Sequence, residues 1–282
     1  MKLCKPWMSG QNYGIFVGRN NMPCFDVVTV TYQNADTIER FLAPWLVSKD
    51  LIRLSVVDNG SEDGTVAYLQ ASLAANQYRL NPDNPGYAIA ANVAAAMGQH
   101  DYIAFINPDC FVSCETVQRL VGCLHNNPQI GLVGCRVLNE DGSLQAASCR
   151  RLPTFWRVFN HLSGLYRFGF AGINKPAKNA LQSASVDAVN GALFVIRREL
   201  FQRLNGFDEA YPLHFEDLDL MKRCLDAGYQ IHYLAEPKAI HLQGHSTDNH
   251  DAVKQWKRQG FKRYFKKHRP AWEQWLVNRM IR

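Results

Sequence analysis

The stretch YIAFINPDCFVSC, residues 102–114, decides how the rest of the chain is to be read. Tyr102 to Ile106 is a short, mostly apolar run with the composition of a buried strand. It stops at Asn107-Pro108-Asp109, because proline has no N–H to give a sheet ladder. Asp109 is thereby left just past the carboxyl end of a central strand, in the crevice where open α/β sheets bind ligands. A carboxylate buried there needs a cation or a hydrogen-bond donor facing it. The competing reading is a turn aspartate that caps the next helix.

Upstream, FDVVTVTY (Phe25 to Tyr32) is rich in β-branched residues and predicts a strand. Asn34 and Asp36 are candidate caps for the next helix, with Glu39 at capping-box spacing from Asp36. Ile38, Phe41, Leu42 and Trp45 form its apolar stripe. A second strand, Leu54 to Val57, runs into Asp58 and the polar turn NGSEDG, and a helix follows to about Leu73. Tyr78 to Leu80 is a short strand, followed by NPDNPG (81–86) and an alanine-rich helix from Tyr87 to Met97. Downstream of the opening stretch, Ser113 is placed to cap a helix from Cys114 to about His125, and Ile130 to Val133 predicts another strand. Repeated strand–helix units with polar breaks at the carboxyl ends predict an α/β fold with a mostly parallel, Rossmann-like central sheet flanked by helices.

Residues 136–185 have weak periodicity and read as helix and loop. Val186 to Ile196 reads as one strand-like run, and Arg198 to Leu204 as a short helix stopped by Asn205-Gly206. HFEDLDL (214–220) opens another helix, and Ile231 to Leu234 and Ala239 to Leu242 read as two short strands, the second carrying His241.

The chain has 282 residues, 47% hydrophobic and 20% charged, the make-up of an ordinary soluble globular protein. No run of 18 or more apolar residues predicts a membrane span, and the amino-terminal MKLCKPWMSGQNYG lacks the apolar core of a signal peptide. The eight cysteines are scattered without a zinc-type couple, which points to reduced thiols in the cytoplasm. From Lys254 to Arg282, ten Lys and Arg face the single acid Glu273, and Trp256, Phe261, Tyr264, Phe265, Trp272 and Trp275 are interleaved among them. That composition suits an anionic membrane surface, or equally a helix that packs its aromatics on the domain. No nucleic-acid motif accompanies it.

Asp58, Asp109, the pair Glu216-Asp217 and His241 are polar groups at the edges of apolar elements. Asp58 has two acceptor oxygens for a pyrimidine imide or a ribose hydroxyl, and otherwise is a turn residue. Glu216 and Asp217 sit where the helix dipole favours acids, and one of them can serve as a general base. His241 is either a core histidine or, with a carboxylate, a ligand for a divalent cation.

Taken in order, FDVVTVTYQNADTIERFL, VVDNGSEDGT, NPDNPGYAIAANVA, YIAFINPD, the segment from Val189 to Leu234 and AIHLQGHST resemble the inverting family 2 glycosyltransferases over about residues 25–247, most of all their bacterial rhamnosyltransferase branch. The resemblance implies a GT-A fold, a nucleotide diphosphate-sugar donor, Mg²⁺ or Mn²⁺, and single-displacement transfer with inversion. By motif position, Thr31, Tyr32 and Asn34 would border the base and Asp58 would hydrogen-bond it. Asn84, Gly86 and Asn92 would lie along the nucleotide. Asp109 matches the last acid of the family's DxD motif, the metal carboxylate. Asn107 stands in place of the first acid and can accept from a ribose hydroxyl. His241 would complete the metal shell. Asp217 matches the base, with Glu216 beside it, and Asn190 and Gly191 match the acceptor-side strand.

The expected division is a lead-in over 1–24, a nucleotide-sugar half over 25–135, an acceptor and catalytic half over 136–250, and a basic amphipathic tail over 251–282. The expected donor is dTDP-L-rhamnose and the expected acceptor a polyprenyl-diphosphate-linked saccharide of a cell-surface polysaccharide such as O-antigen. This places the chain in the cytoplasm, peripheral on the inner face of the cell membrane. Transfer of galactose, glucose or mannose, or a non-catalytic nucleotide-sugar-binding scaffold, are the alternatives.

Overall fold

A computed structural model of the chain describes residues 23–48, 51–174, 181–242 and 250–280. Strand β1 (Phe25–Thr31) is buried along its whole length. Helix α1 (Ile38–Leu46) buries the predicted stripe of Ile38, Phe41, Leu42 and Trp45. It starts one residue later than an Asp36–Glu39 capping box would set it. The N-cap is Thr37, whose side chain makes no capping bond, and the Asn34 carbonyl accepts from the Thr37 and Ile38 amides. The Asn34 side chain instead accepts from the Tyr32 N–H at 2.8 Å.

Strand β2 (Ile52–Asp58), α2 (Thr65–Ser72), β3 (Tyr78–Leu80), α3 (Tyr87–Ala96) and β4 (Tyr102–Ile106) follow, with β5 (Cys110–Phe111) just past the Asn107-Pro108-Asp109 turn. Helix α4 (Cys114–Asn126) is capped by Ser113, which accepts from the Thr116 amide at 3.2 Å. Next come β6 (Ile130–Leu138), β7 (Cys149–Arg150), α5 (Phe155–Leu162), β8 (Ala184–Val186), β9 (Ala188–Val189), β10 (Leu193–Arg197), α6 (Arg198–Arg203) and α7 (Glu216–Asp226). Strand β11 (Gln230–His241), α8 (His250–His268) and α9 (Ala271–Met280) complete the described chain.

The main sheet has the order β3-β2-β1-β4-β10-β6-β11-β5, with β8 also on β11. Strands β3, β2, β1 and β4 are parallel, β10 runs antiparallel between β4 and β6, and β11 is parallel to β6. The fold is therefore a GT-A-like α/β sheet, mixed in direction and flanked by helices. Alternation along β4 sends Ile103 and Phe105 into one core and Tyr102, Ala104 and Ile106 into the other. Helices α1 and α4 cover the second core, while α3, α6, α7 and α8 cover the first.

Two stretches differ from the expected strands. The run from Val186 to Ile196 is broken into β8, β9 and β10, because β9 leaves the main sheet to pair with β7 and Asn190-Gly191 turns the chain back. The two short strands after residue 230 are one strand, β11. Leu234 and Lys238 pair with the adjacent Cys135 and Arg136, so the residues between them, Pro237 included, bulge out. The tail also belongs to the domain: Phe261, Tyr264 and Phe265 of α8 are buried in the first core. No helix among the described residues is long and apolar enough to cross a membrane. The seven cysteines among them are free thiols.

Candidate functional site

The carboxyl ends of β1, β2 and β4 and the segment leading into α7 surround a cavity of about 810 Å³. Tyr32, Asn34, Asn84, Gly86 and Asn107 line it from the first half of the chain, and Asn190, Gly191, Glu216, Asp217 and His241 from the second. Asn59, Asn81 and Asn84 form an amide ladder here. Asn81 Nδ2 donates to Asn59 Oδ1 at 2.8 Å, and Asn59 Nδ2 to Asn84 Oδ1 at 3.1 Å. Gly86 has φ +103°, and a Cβ there would stand 3.0 Å from the Pro212 carbonyl oxygen. Only glycine lets α3 start this close to the loop before α7.

Thr31 and Asp58 stand behind the lining. Asp58 is fully buried, and its Oδ2 accepts from Thr31 Oγ1 at 2.7 Å and Ser61 Oγ at 2.6 Å, while Oδ1 accepts from the Ser61 amide at 2.8 Å. Asn92 is not among the lining residues. Its amide clamps the Gly206–Glu209 segment to α3, donating to the Phe207 carbonyl at 3.0 Å and accepting from the Phe207 N–H at 2.9 Å.

Asp109 and His241 are brought together by the pairing of β5 with β11. His241 Nε2 lies 3.2 Å from Asp109 Oδ1, which is buried and has no aligned hydrogen-bond donor. Gln145 fixes the imidazole from the other side. Its Nε2 donates to the His241 carbonyl at 2.8 Å, and its Oε1 lies 3.2 Å from His241 Nδ1 and accepts from Asn190 Nδ2 at 3.1 Å. An orphaned carboxylate oxygen beside an imidazole nitrogen is a fitting donor pair for a divalent cation. No third His, Cys, Asp or Glu joins them among the described residues. The rest of a coordination shell would thus have to come from substrate oxygens and water.

Helix α7 presents the acids. His214 and Phe215, just before it, hold left-handed φ values of 66° and 73°. Such geometry costs on the order of 1–3 kcal/mol per residue and persists only where the surroundings enforce it. Here α8 does so. The Phe215 ring packs 5.4 Å from Phe261 and 6.2 Å from Tyr264, and a Cβ at Gly260 would approach the His214 carbonyl oxygen to 2.6 Å.

Asp217 Oδ2 is ion-paired with Arg150 Nη2, and its Oδ1 accepts from the Leu218 amide at 2.7 Å. Arg150 is held in turn by the Val189 carbonyl, at 2.9 Å from Nε and 2.6 Å from Nη2. A side chain at Gly191 would collide with the Asp217 carboxylate. Glu216 is buried with Oε2 unpartnered. Burial, followed by the negative charge of Asp217, pushes its carboxyl up to about 8. Burial and the charges of Glu216 and Asp217 also push the neighbouring Tyr87 hydroxyl well up, keeping it a proton donor. Arg150 and Gln145 carry no signal in the sequence. Arg150 lies in a two-residue strand, and the pairing of β7 with β9 delivers it to the cavity, whereas Gln145 is buried behind the lining, its backbone amide donating to the Val137 carbonyl of β6 at 3.0 Å.

The family model of glycosyl transferase family 2 matches residues 26–204, more than half of the chain. The chain belongs to glycosyl transferase family 2. A second model, glycosyl transferase family group 2, matches residues 134–278 and so extends over α7 and α8. The N-acetylglucosaminyl-diphospho-decaprenol L-rhamnosyltransferase of Mycobacterium tuberculosis is 29% identical over 241 residues, covering 78% of this chain and 76% of its own. The rhamnosyltransferase WbbL of Escherichia coli is 30% identical over 150 residues, 52% of this chain and 54% of its own. Among solved structures, a mannosyltransferase of Pyrobaculum calidifontis in complex with GDP-Man and Mn²⁺ superposes with a TM-score of 0.60 at 20% identity, over 88% of this chain and 64% of that one. This glycosyltransferase thus shares its fold with transferases of quite different sequence.

Proposed function

We propose that this family 2 glycosyltransferase transfers L-rhamnose, with inversion, from dTDP-L-rhamnose to a hydroxyl of a polyprenyl-diphosphate-linked saccharide in cell-surface polysaccharide synthesis. One observation carries the reading: a carboxylate suited to act as base, Asp217, lines a single cavity with the amide ladder and with His241, behind which the buried Asp109 completes a carboxylate–imidazole pair suited to a cation. The names of the M. tuberculosis and E. coli relatives support the choice of sugar, and that of the first supports a lipid diphosphate acceptor.

In this mechanism Asp217 takes the proton of the acceptor hydroxyl as its oxygen bonds to the anomeric carbon and the bond to the nucleoside diphosphate breaks. Arg150 holds the Asp217 carboxylate in one orientation, and Glu216, neutral and buried, keeps a second negative charge away from the reacting centre. A divalent cation, Mg²⁺ or Mn²⁺, would be held by Asp109 and His241 and would neutralise charge on the departing diphosphate. Tyr32 and Asn34 border the base, with Thr31 and Asp58 bracing that edge from behind. Asn84, Gly86 and Asn107 follow the nucleotide, while Asn92 acts through the Phe207 segment. Asn190 and Gly191 face the transferred sugar. The nucleotide-sugar side then falls within 25–135 and the acceptor side within 136–250. A lipid-linked acceptor would bring the enzyme to a membrane surface, in this reading the inner face of the cell membrane.

The test is a thermal-shift panel of nucleotide diphosphate-sugars with and without Mn²⁺ or Mg²⁺. A ligand at 100 times its dissociation constant adds about 2.7 kcal/mol of stability. Cation-dependent stabilisation by dTDP-rhamnose is the expected result. The same response to a different donor alone would replace rhamnose, and no response to any donor would remove the transferase reading of the cavity.

A further inference from the structure

The basic and the aromatic residues of the carboxyl-terminal segment sort onto different surfaces. Helix α8 exposes Lys257, Arg258, Lys262 and Lys266, but turns Phe261, Tyr264 and Phe265 into the core. The exposed aromatics lie elsewhere, on α5, on the 3₁₀ turn over Leu165–Phe168 and on α9. Trp156, Leu162, Phe168, Phe170, Trp272 and Trp275 are each between 50% and 81% exposed. These elements form one surface. The Phe155 ring meets Trp272 at 6.3 Å and Trp156 at 5.1 Å, and the Phe155 amide donates to Glu273 Oε2 at 2.8 Å. The 3₁₀ turn is held on α5 by His161 stacked on Tyr166 at 5.2 Å, and the segment after it by Asn160 Nδ2 donating to the Ala171 carbonyl.

The charge on this surface is predominantly positive. Residues 151–174 and 271–280 contain Arg151, Arg157, Arg167 and Arg279 and a single acid, Glu273. That acid is buried and bonded to Arg269. Arg279 lies 3.9 Å over the exposed Trp275 ring. Apolar and aromatic side chains rimmed by arginine, with the part-exposed Asp187 neutralised by Arg157 at 3.0 Å, match the boundary between acyl chains and anionic headgroups. A second copy of the chain would be a poor occupant, because a two-fold contact would set this arginine-rich surface against itself.

We propose that the α5–3₁₀–α9 surface is the membrane-docking face of the enzyme, inserting into an anionic lipid leaflet while the lysines of α8 add attraction alongside. The purpose of this face rests on the lipid-linked acceptor proposed above, but its existence does not. It adjoins the cavity. Arg150, which holds Asp217, is followed directly by the chain that enters α5, and the Arg151 amide donates to the Ile173 carbonyl at 2.7 Å, so the whole excursion leaves from and returns to the cavity rim. An acceptor sugar on a membrane-anchored diphosphate is thereby brought in beside Asp217.

Vesicle flotation of the full chain, with no donor or acceptor present, tests the proposal. The protein should float with phosphatidylglycerol-containing vesicles and not with pure phosphatidylcholine. Binding of a Trp156→Ser/Phe168→Ser/Trp275→Ser variant should fall at least about tenfold, the loss of three interfacial side chains, with unchanged thermal unfolding. As a check that does not depend on the triple variant folding, brominated lipids should quench the tryptophan fluorescence of the native chain, and this quenching should be lost selectively in Trp156→Phe/Trp272→Phe/Trp275→Phe. Arg167→Glu/Arg279→Glu should also release the protein. Equal binding by the triple variant would overturn the proposal, as would native dimers that this variant converts to monomers. Because the assay contains no sugar nucleotide, its failure would leave the donor assignment standing, and failure of the donor panel would leave the docking face standing.

Discussion

Two carboxylate–arginine clusters in this molecule invite comparison. At the amino end of β1, Asp26 is fully buried, with Oδ1 2.7 Å from His100 Nδ1 and Oδ2 accepting from the His100 amide at 3.1 Å and from Arg198. Arg198 spends its other donors on the His100 and Ala95 carbonyls at 2.6 and 2.8 Å. Both carboxylate oxygens are satisfied, and the cluster sits at the opposite end of the strand from Tyr32. On α7, Arg150 meets Asp217 in the wall of a cavity, beside a Glu216 whose Oε2 has no partner. Two residues further on, Asp219 is again saturated, by Arg223 at 2.7 Å, His268 at 2.7 Å and Lys267 at 2.8 Å. Burial alone would raise its carboxyl, but the His268, Arg223 and Lys267 contacts outweigh it and hold it well below the usual range. Asp217 also has both oxygens bonded, and what sets it apart from Asp26 and Asp219 is that it lines a cavity, beside a Glu216 oxygen left without a partner.

The comparison breaks most visibly at Asp217. Asp217→Asn should reduce transfer by about 10²–10⁴-fold, the usual span for losing a general base. Donor affinity by calorimetry should change little, and an unimpaired mutant would put Asp217 with the structural clusters. Asp26→Asn should do the reverse. Removing one partner of a buried pair costs about 3–5 kcal/mol of stability in denaturant titrations, and the surviving folded enzyme should keep its turnover number. Next in size, Asp109→Ala should weaken cation-dependent donor binding by about 10–100-fold, the range known for altered metal surroundings. Manganese titration with and without donor reads this directly, and unchanged binding would make Asp109–His241 a plain turn contact.

A pH-dependent effect sharpens the comparison at Glu216. Its folded carboxyl titrates near 8, above the ordinary value of 4.5. Between those limits the folded state holds more proton than the unfolded one, so stability falls as pH rises. Glu216→Gln has no such proton to lose. The stability gap in its favour should widen by about 1.4 kcal/mol for each pH unit inside that window. Parallel pH profiles of the two proteins in chemical denaturation would show that Glu216 is solvated instead.

Strands β1 to β4 and helices α1 to α4 were legible in the sequence because each is announced by its own neighbours: an apolar period, then a polar break holding Pro, Gly, Asn or Asp. The same breaks marked Asp58, Asp109 and Glu216-Asp217 as edge residues. The errors fell where a distant partner overrode the local pattern. Val186 to Ile196 reads as one strand until β7 draws β9 out of the main sheet. Ile231 to Leu234 and Ala239 to Leu242 read as two strands until β6 carries β11 across its bulge.

By itself, then, the sequence determined the parallel β–α framework and the polar residues at its edges, since periodicity and turn chemistry act over a few residues. Only the tertiary structure decided what those residues meet. Arg150 and Asp217 are 67 positions apart, and Gln145 and His241 are 96. Tertiary packing also decided that Phe261, Tyr264 and Phe265 belong to the core while Trp272 and Trp275 stay outside. Such contacts come from strand pairing and from which helix face finds a partner, and no spacing along the chain encodes either.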